Sequence, residues 1–412
     1  MTMKKIIAII IAGILLSSLV FFLFIYNDPE FRYFIGTSTG LKDNPVLTDN
    51  NFIIEEVLVG IQSSTALTFI GNDILFLEKE TGKIRHIQNN LLVHDPVWDF
   101  DVKMEGCECF TESGLLGIIS IGSEIYVYVT EELDSENSVV ENRIYRFTWE
   151  NNKLQNQLLL NILPGDGNMH HGGAMVADSN KNVYAVIGDQ TLKTQLQNFN
   201  NELISDAGMI LRVGIDDKVK SPSKSDSPND HYYGVGIRNS FGLAIDPFTN
   251  NLWITENGTH EYDEINLTFP KYNSGWAKIQ GPATDEQLQN FVGYSDYEYS
   301  DPEFSWEETS APTGISFVDN KWKKFSNSVF VGDCSGNLYK FQLNDSRDKL
   351  VFDNPELQDL VLNADDSNVE IIFGKNFGCI TDIEYNPDDG YLYIISYLNN
   401  GAIYKISPKN LE

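Results

Sequence analysis

Basic side chains are scarce. The 412-residue chain carries 29 Lys and Arg against 59 Asp and Glu, a formal net charge of −30. Nucleic-acid binding needs Lys and Arg patches to neutralise phosphates, so this balance argues against it. A soluble, self-repelling surface is expected instead. A sustained helical period is also missing: beyond residue 52 only Asp285 to Phe291 promises a turn or two of helix. Long apolar runs are confined to one place. Lys4 and Lys5 precede an uncharged stretch from Ile6 to Tyr26, about the ~20 residues that cross a bilayer. No small-x-small cleavage site follows it, which favours an uncleaved anchor over a signal peptide removed on secretion. The lysines place residues 1–5 in the cytoplasm and everything after Tyr26 outside. Cysteines number four: Cys107, Cys109, Cys334 and Cys379. Disulfides are permitted outside the membrane, and four cysteines allow three pairings among which the sequence does not choose. Cys107 and Cys109 are too close for a comfortable mutual bridge. Asn257, Asn266 and Asn344 head short glycosylation sequons.

What is abundant is strand. After a polar linker over 27–51, short apolar runs alternate with Gly, Asn and Asp turns. A loose unit recurs six times: an apolar run, a turn, a second run with a bulky residue, then a third run carrying a basic residue. Leu75, Tyr126, Tyr184, Trp253, Phe330 and Tyr393 take equivalent places in the second run. Six sheet-forming units of this size predict an all-β, six-bladed β-propeller over 52–412, rather than a β-sandwich. Ring closure hides most sheet edges, and the strand from Phe52 to Val59 is expected to join the last blade. In such a ring the residues just before the first strands converge on one mouth. Those residues are Glu112, His170, Arg238, Asn239 and Cys379, joined by Asp189, Gly258 and Cys334 at the ends of second strands.

The stretch from Asn168 to Gln190 carries the sharpest chemistry. His170 and His171 precede Gly172-Gly173, and the apolar run Val183 to Ile187 ends on Gly188-Asp189. If the two flanking runs are antiparallel neighbours, imidazole and carboxylate meet at one sheet edge. A carboxylate that fixes a histidine tautomer makes a directed general base. Arg238 and Asn239 follow Gly234 and Gly236, glycines that allow close backbone approach. Gly258 and Thr259 offer carbonyl oxygens, and Glu256, Asp263 and Glu264 carboxylates, of the kind a hard cation takes, although the spacing is not an EF-hand.

Taken together, His170-His171-Gly172-Gly173, Asn182 to Gln190, Tyr233 to Pro247, Leu252 to Gly258 with Tyr262 to Leu267, and Glu112 to Gly117 resemble the glucose/sorbosone dehydrogenase family, the soluble quinoprotein and aldose sugar dehydrogenases. The similarity spans about residues 54–407. It implies a six-bladed propeller that binds pyrroloquinoline quinone (PQQ) and calcium and oxidises a sugar or similar alcohol, passing electrons to an external acceptor. His170 matches the general base, Asp189 the carboxylate that orients it, and Arg238 the arginine beside the quinone carbonyls. Asn239 and Gln190 match neighbours of the site, and Gly258 and Thr259 the two backbone carbonyls that hold calcium. The resemblance also marks departures. The lysine and two arginines that neutralise the quinone's carboxylates become Cys334, Cys379 and Thr381. An arginine after Gly-Gly becomes Ala174, and a glutamine becomes Glu112. These substitutions should weaken binding of a trianion. The alignment brings Cys334 and Cys379 face to face, as a disulfide, as thiolates joined with His170 or His171 in a copper or zinc site, or as buried thiols. A non-catalytic binding or scaffold module is the alternative to the enzyme.

Overall fold

The computed structural model describes residues 44–61, 63–102, 112–134, 139–167, 169–190, 206–214, 231–294, 296–397 and 401–409. The expected anchor over 6–26, Cys107 and Cys109 lie outside the described residues. Among the described residues no helix is long and apolar enough to cross a membrane. The compact unit begins at Asn44, earlier than the linker boundary at 51, because Val46–Leu47 pairs with Ile372–Lys375.

The described strands form six sheets. Their first strands are Ser64–Ile70, Leu115–Ile121, Met175–Ala177, Gly242–Ile245, Pro312–Phe317 and Cys379–Asn386, each paired antiparallel with the next strand in sequence. Each first strand touches the first strand of the following sheet, and Cys379–Asn386 touches Ser64–Ile70. The arrangement is all-β and propeller-like. Phe52–Val59 pairs with Ala402–Pro408, so an N-terminal strand completes the last sheet as expected. The short helix Asp285–Asn290 is fixed by a capping box between Thr284 and Gln287.

The repeat explains the core. Leu75, Tyr126, Tyr184, Trp253, Phe330 and Tyr393 all lie in second strands and are buried. Sheets packed on both faces need apolar residues at consecutive positions, as in the fully buried Val183–Ile187. Six apolar clusters result, each between two neighbouring sheets. The cluster of Leu67 and Phe76 with Ile395 and Ile403 joins the first sheet to the last. Two sheets of a sandwich would share one core, so that alternative is set aside.

A half-buried carboxylate also joins the ends of the ring. Asp382 accepts the Leu67 N–H at 3.0 Å across the sheet junction. Burial pushes the Asp382 carboxyl up, and burial with the neighbouring Asp382 charge pushes Glu384 well up. Each binds its proton more tightly folded than unfolded. Their contribution to stability is therefore complete below about pH 4 and falls as pH rises through neutrality. Urea midpoints measured from pH 4 to 8 should decline, and Glu384→Gln should flatten the decline. An unchanged slope in that variant would refute the assignment.

Candidate active site

The first and second strands of the third sheet bring His170 and Asp189 to one edge. Met175 pairs with Ala185, which sets the preceding loop beside the residues that follow Ile187. His170 adopts φ 62°, a left-handed conformation that costs a non-glycine residue energy and is held by its surroundings. Gln190 holds it: the amide nitrogen donates to the His170 carbonyl at 3.1 Å, and its oxygen accepts the Gly167 N–H at 3.1 Å. Glu112 accepts the His170 N–H. Gly188 makes the approach possible, since a Cβ there would lie 2.6 Å from the carbonyl oxygens of both His170 and Arg238.

His170 Nδ1 lies 2.6 Å from Asp189 Oδ1. Both side chains are buried, so the pair works in a low dielectric that strengthens it. The second Asp189 oxygen accepts the Trp276 indole N–H at 2.7 Å. The Asp189 N–H donates to the Arg238 carbonyl at 2.8 Å, and the guanidinium carbon lies 5.5 Å from the centre of the Trp276 ring. His170, Asp189 and Arg238 are thus drawn into one connected site.

Arg238 Nη1 donates to the carbonyls of Asn257 at 2.7 Å and Gly258 at 2.5 Å. The Gly258 carbonyl therefore faces a cation. Thr259 turns elsewhere, its N–H and hydroxyl meeting Gln280 Oε1 at 3.2 and 3.1 Å. The carboxylates behind this turn are structural partners. Glu256 accepts the Arg238 N–H and the Ser274 hydroxyl, both at 2.6 Å. Asp263 accepts N–H groups of Gly258, Ser310 and Ala311, and Glu264 accepts that of Gly281. Burial pushes all three carboxyls up. Among the described residues no group of three or more His, Cys, Asp or Glu side chains is arranged to hold a metal.

Cys334 and Cys379 form a disulfide. That removes both thiolates, so a copper or zinc site built from them with His170 or His171 does not form. His171 is a structural histidine instead, its ring nitrogens meeting Asn142 Oδ1 at 3.2 Å and the Gly167 carbonyl at 2.8 Å. The bridge links two neighbouring sheets across 45 residues. Closing a loop of that length stabilises a fold by about 4 kcal/mol through the unfolded chain. Reduction, or Cys334→Ser, should lower the denaturation midpoint accordingly, and an unchanged midpoint would disprove the contribution.

The cofactor implied by the resemblance sets two demands. Its reactive end needs a base and a nearby cation, and His170, Asp189 and Arg238 fit that demand. Its carboxylates need counterions, and there the donor set is poor. The disulfide carries no charge, and the Thr381 hydroxyl donates to the carbonyls of Ser64 and Ile395 at 3.1 and 3.3 Å. Glu112 is an acid whose carboxyl burial pushes up, opposed by His170, Lys79 and Asn239. Asn239 donates to Glu112, while its own buried side-chain oxygen meets no partner among the described residues. Lys79 is a cation that no motif marked. It follows the second strand of the first sheet, as Asp189 follows that of the third, and its ammonium lies 5.1 Å from the Tyr397 ring centre. Burial lowers its pKa, against the charges of Glu80 and Glu112. Trp276 was equally unmarked, because it lies in a connection outside the repeat.

Known proteins share this architecture. The chain is 24% identical over 252 residues to the aldose sugar dehydrogenase YliI of Escherichia coli (strain K12), covering 58% of this chain and 61% of that protein's length. The crystal structure of the soluble E. coli aldose sugar dehydrogenase in the apo-form superposes with a TM-score of 0.67 at 20% identity, covering 87% of this chain and 99% of that one. The PQQ-bound form of aldose sugar dehydrogenase from Streptomyces coelicolor does so with a TM-score of 0.63 at 21% identity, covering 88% and 99%. These structures share the fold. The glucose/sorbosone dehydrogenase family model matches residues 61–405, and the chain belongs to that family.

Proposed function

We propose that the chain is a membrane-anchored, extracytoplasmic oxidoreductase on a six-bladed propeller that oxidises a hydroxyl of an aldose or similar alcohol. The observation that carries the reading is the buried 2.6 Å contact between His170 Nδ1 and Asp189 Oδ1 beside Arg238. Six sheets and six inter-sheet cores support the blade count. Lys4, Lys5 and the apolar run Ile6 to Tyr26 support the anchor.

Asp189 holds the proton of His170 on Nδ1, which leaves the Nε2 lone pair as the base. Nε2 takes the hydroxyl proton of the sugar as its carbinol carbon loses a hydride. A quinone of the PQQ type, held beside His170 and Arg238, would supply the two-electron acceptor for that hydride. Arg238 stabilises negative charge that develops near it. Calcium held by the Gly258 and Thr259 carbonyls would require the Arg238 guanidinium to leave the Gly258 carbonyl, and Asn239 offers a ligand hydroxyl a side-chain oxygen that has no partner among the described residues.

The full-length protein in detergent, mixed with PQQ and calcium, should reduce a dye when aldoses are added. No quinone spectrum and no turnover over a panel of aldoses would remove this reading. The uncharged disulfide at the expected counterion positions favours a second reading, a sugar-binding module without turnover, which predicts saturable aldose binding in that same experiment with no dye reduction.

A further inference from the structure

We infer that Trp276 is a positioning residue that locks the base-orienting carboxylate and the arginine into one unit; the inference rests on the reading of His170 as the base. The indole meets two opposite charges in the two ways its charge distribution allows. Its N–H edge donates to Asp189 Oδ2 at 2.7 Å, and its ring face lies under the Arg238 guanidinium, 5.5 Å from centroid to carbon. Its backbone is anchored to the segment that carries the arginine. The Trp276 N–H donates to the Gly236 carbonyl at 3.2 Å, and the Ser274 N–H to the Val235 carbonyl at 3.0 Å.

The circuit closes through Asp189. One carboxylate oxygen meets His170 and the other meets Trp276, while its backbone N–H meets the Arg238 carbonyl. Both oxygens are thereby fixed, so the carboxylate cannot rotate away from the imidazole without breaking the indole bond. A shift of Trp276 would move the base and the arginine together. Packing alone requires neither the N–H nor its direction, and any large apolar side chain would fill the space. A charge-assisted bond between the indole and the carboxylate is stronger and more directional than a neutral one.

The test uses the full-length chain in detergent with 15N-labelled tryptophan, and Trp276→Phe and Asp189→Asn variants. Trp276→Phe keeps an aromatic face for Arg238 and removes the donor. The indole N–H signal absent from that variant assigns Trp276. In the parent protein the signal should lie downfield, and Asp189→Asn should move it upfield while the other indole signals stay in place. The phenylalanine variant, folded by the same criterion, should lose about 100-fold in kcat, as a base misplaced by about 1 Å does, with KM within about twofold. An indole signal indifferent to Asp189→Asn, or an unchanged kcat in Trp276→Phe, would overturn the inference. If the signal moves as described and the parent protein oxidises no aldose, the linkage stands and the catalytic reading fails.

Discussion

Replacing His170 with alanine should lower kcat/KM for aldose oxidation by about 10²- to 10⁴-fold, the usual contribution of a positioned general base. The fold should survive, because Gln190 and Glu112 hold the loop through the backbone carbonyl and N–H of residue 170, which alanine keeps. Asp189→Asn should cost a similar factor by another route. An amide NH2 turned toward Nδ1 selects the tautomer with its proton on Nε2, and the base then has no lone pair to offer the substrate. The two substitutions combined should cost little more than either alone, since both disable one proton acceptor. Steady-state dye reduction checks all three variants. A fully active His170→Ala protein would end the assignment of the base, and additive losses would separate Asp189 from it.

The ring could be read from the sequence because burial on both faces forces consecutive apolar residues in every second strand. The six bulky residues from Leu75 to Tyr393 mark that requirement directly. The contact of His170 with Asp189 was also legible, since a hairpin places its two ends together. Side-chain direction was not. Gln190 and Thr381 stand near the mouth by position, yet spend their polar atoms on neighbouring backbone, and nothing in a linear pattern decides between backbone and ligand. Lys79 and Trp276 escaped for the opposite reason: each acts through space on residues far along the chain. The third strand of the first sheet separates Lys79 from Glu112, and Trp276 reaches Asp189 over 87 positions. The cysteines show an intermediate case. Similarity brought Cys334 and Cys379 face to face, but only the folded chain, which brings the two sulfurs within bonding distance, chooses a disulfide over thiolates.

Restoring charge at this mouth should strengthen PQQ binding by orders of magnitude. Each charged hydrogen bond is worth about 1.5–3 kcal/mol, or roughly tenfold to 100-fold in affinity. Thr381→Arg and Glu112→Gln leave the Cys334–Cys379 bridge in place. The first adds a cation. The second removes an acid yet keeps an oxygen that can accept the His170 N–H. Together they should tighten equilibrium binding of PQQ, with calcium present, by about 10²-fold or more. A neutral ortho-quinone without carboxylates should bind parent and variant alike, because the substitutions leave His170, Asp189 and Arg238 untouched. Added salt should weaken the gain least if the new guanidinium is sheltered by the surrounding sheets, and most if it reaches into open solvent. Equal affinity of parent and variant for PQQ would show that the missing cations are not what limits the cofactor. The shape left by the disulfide would then be the obstacle, and reduction of the bridge, rather than charge, would be the change that admits it.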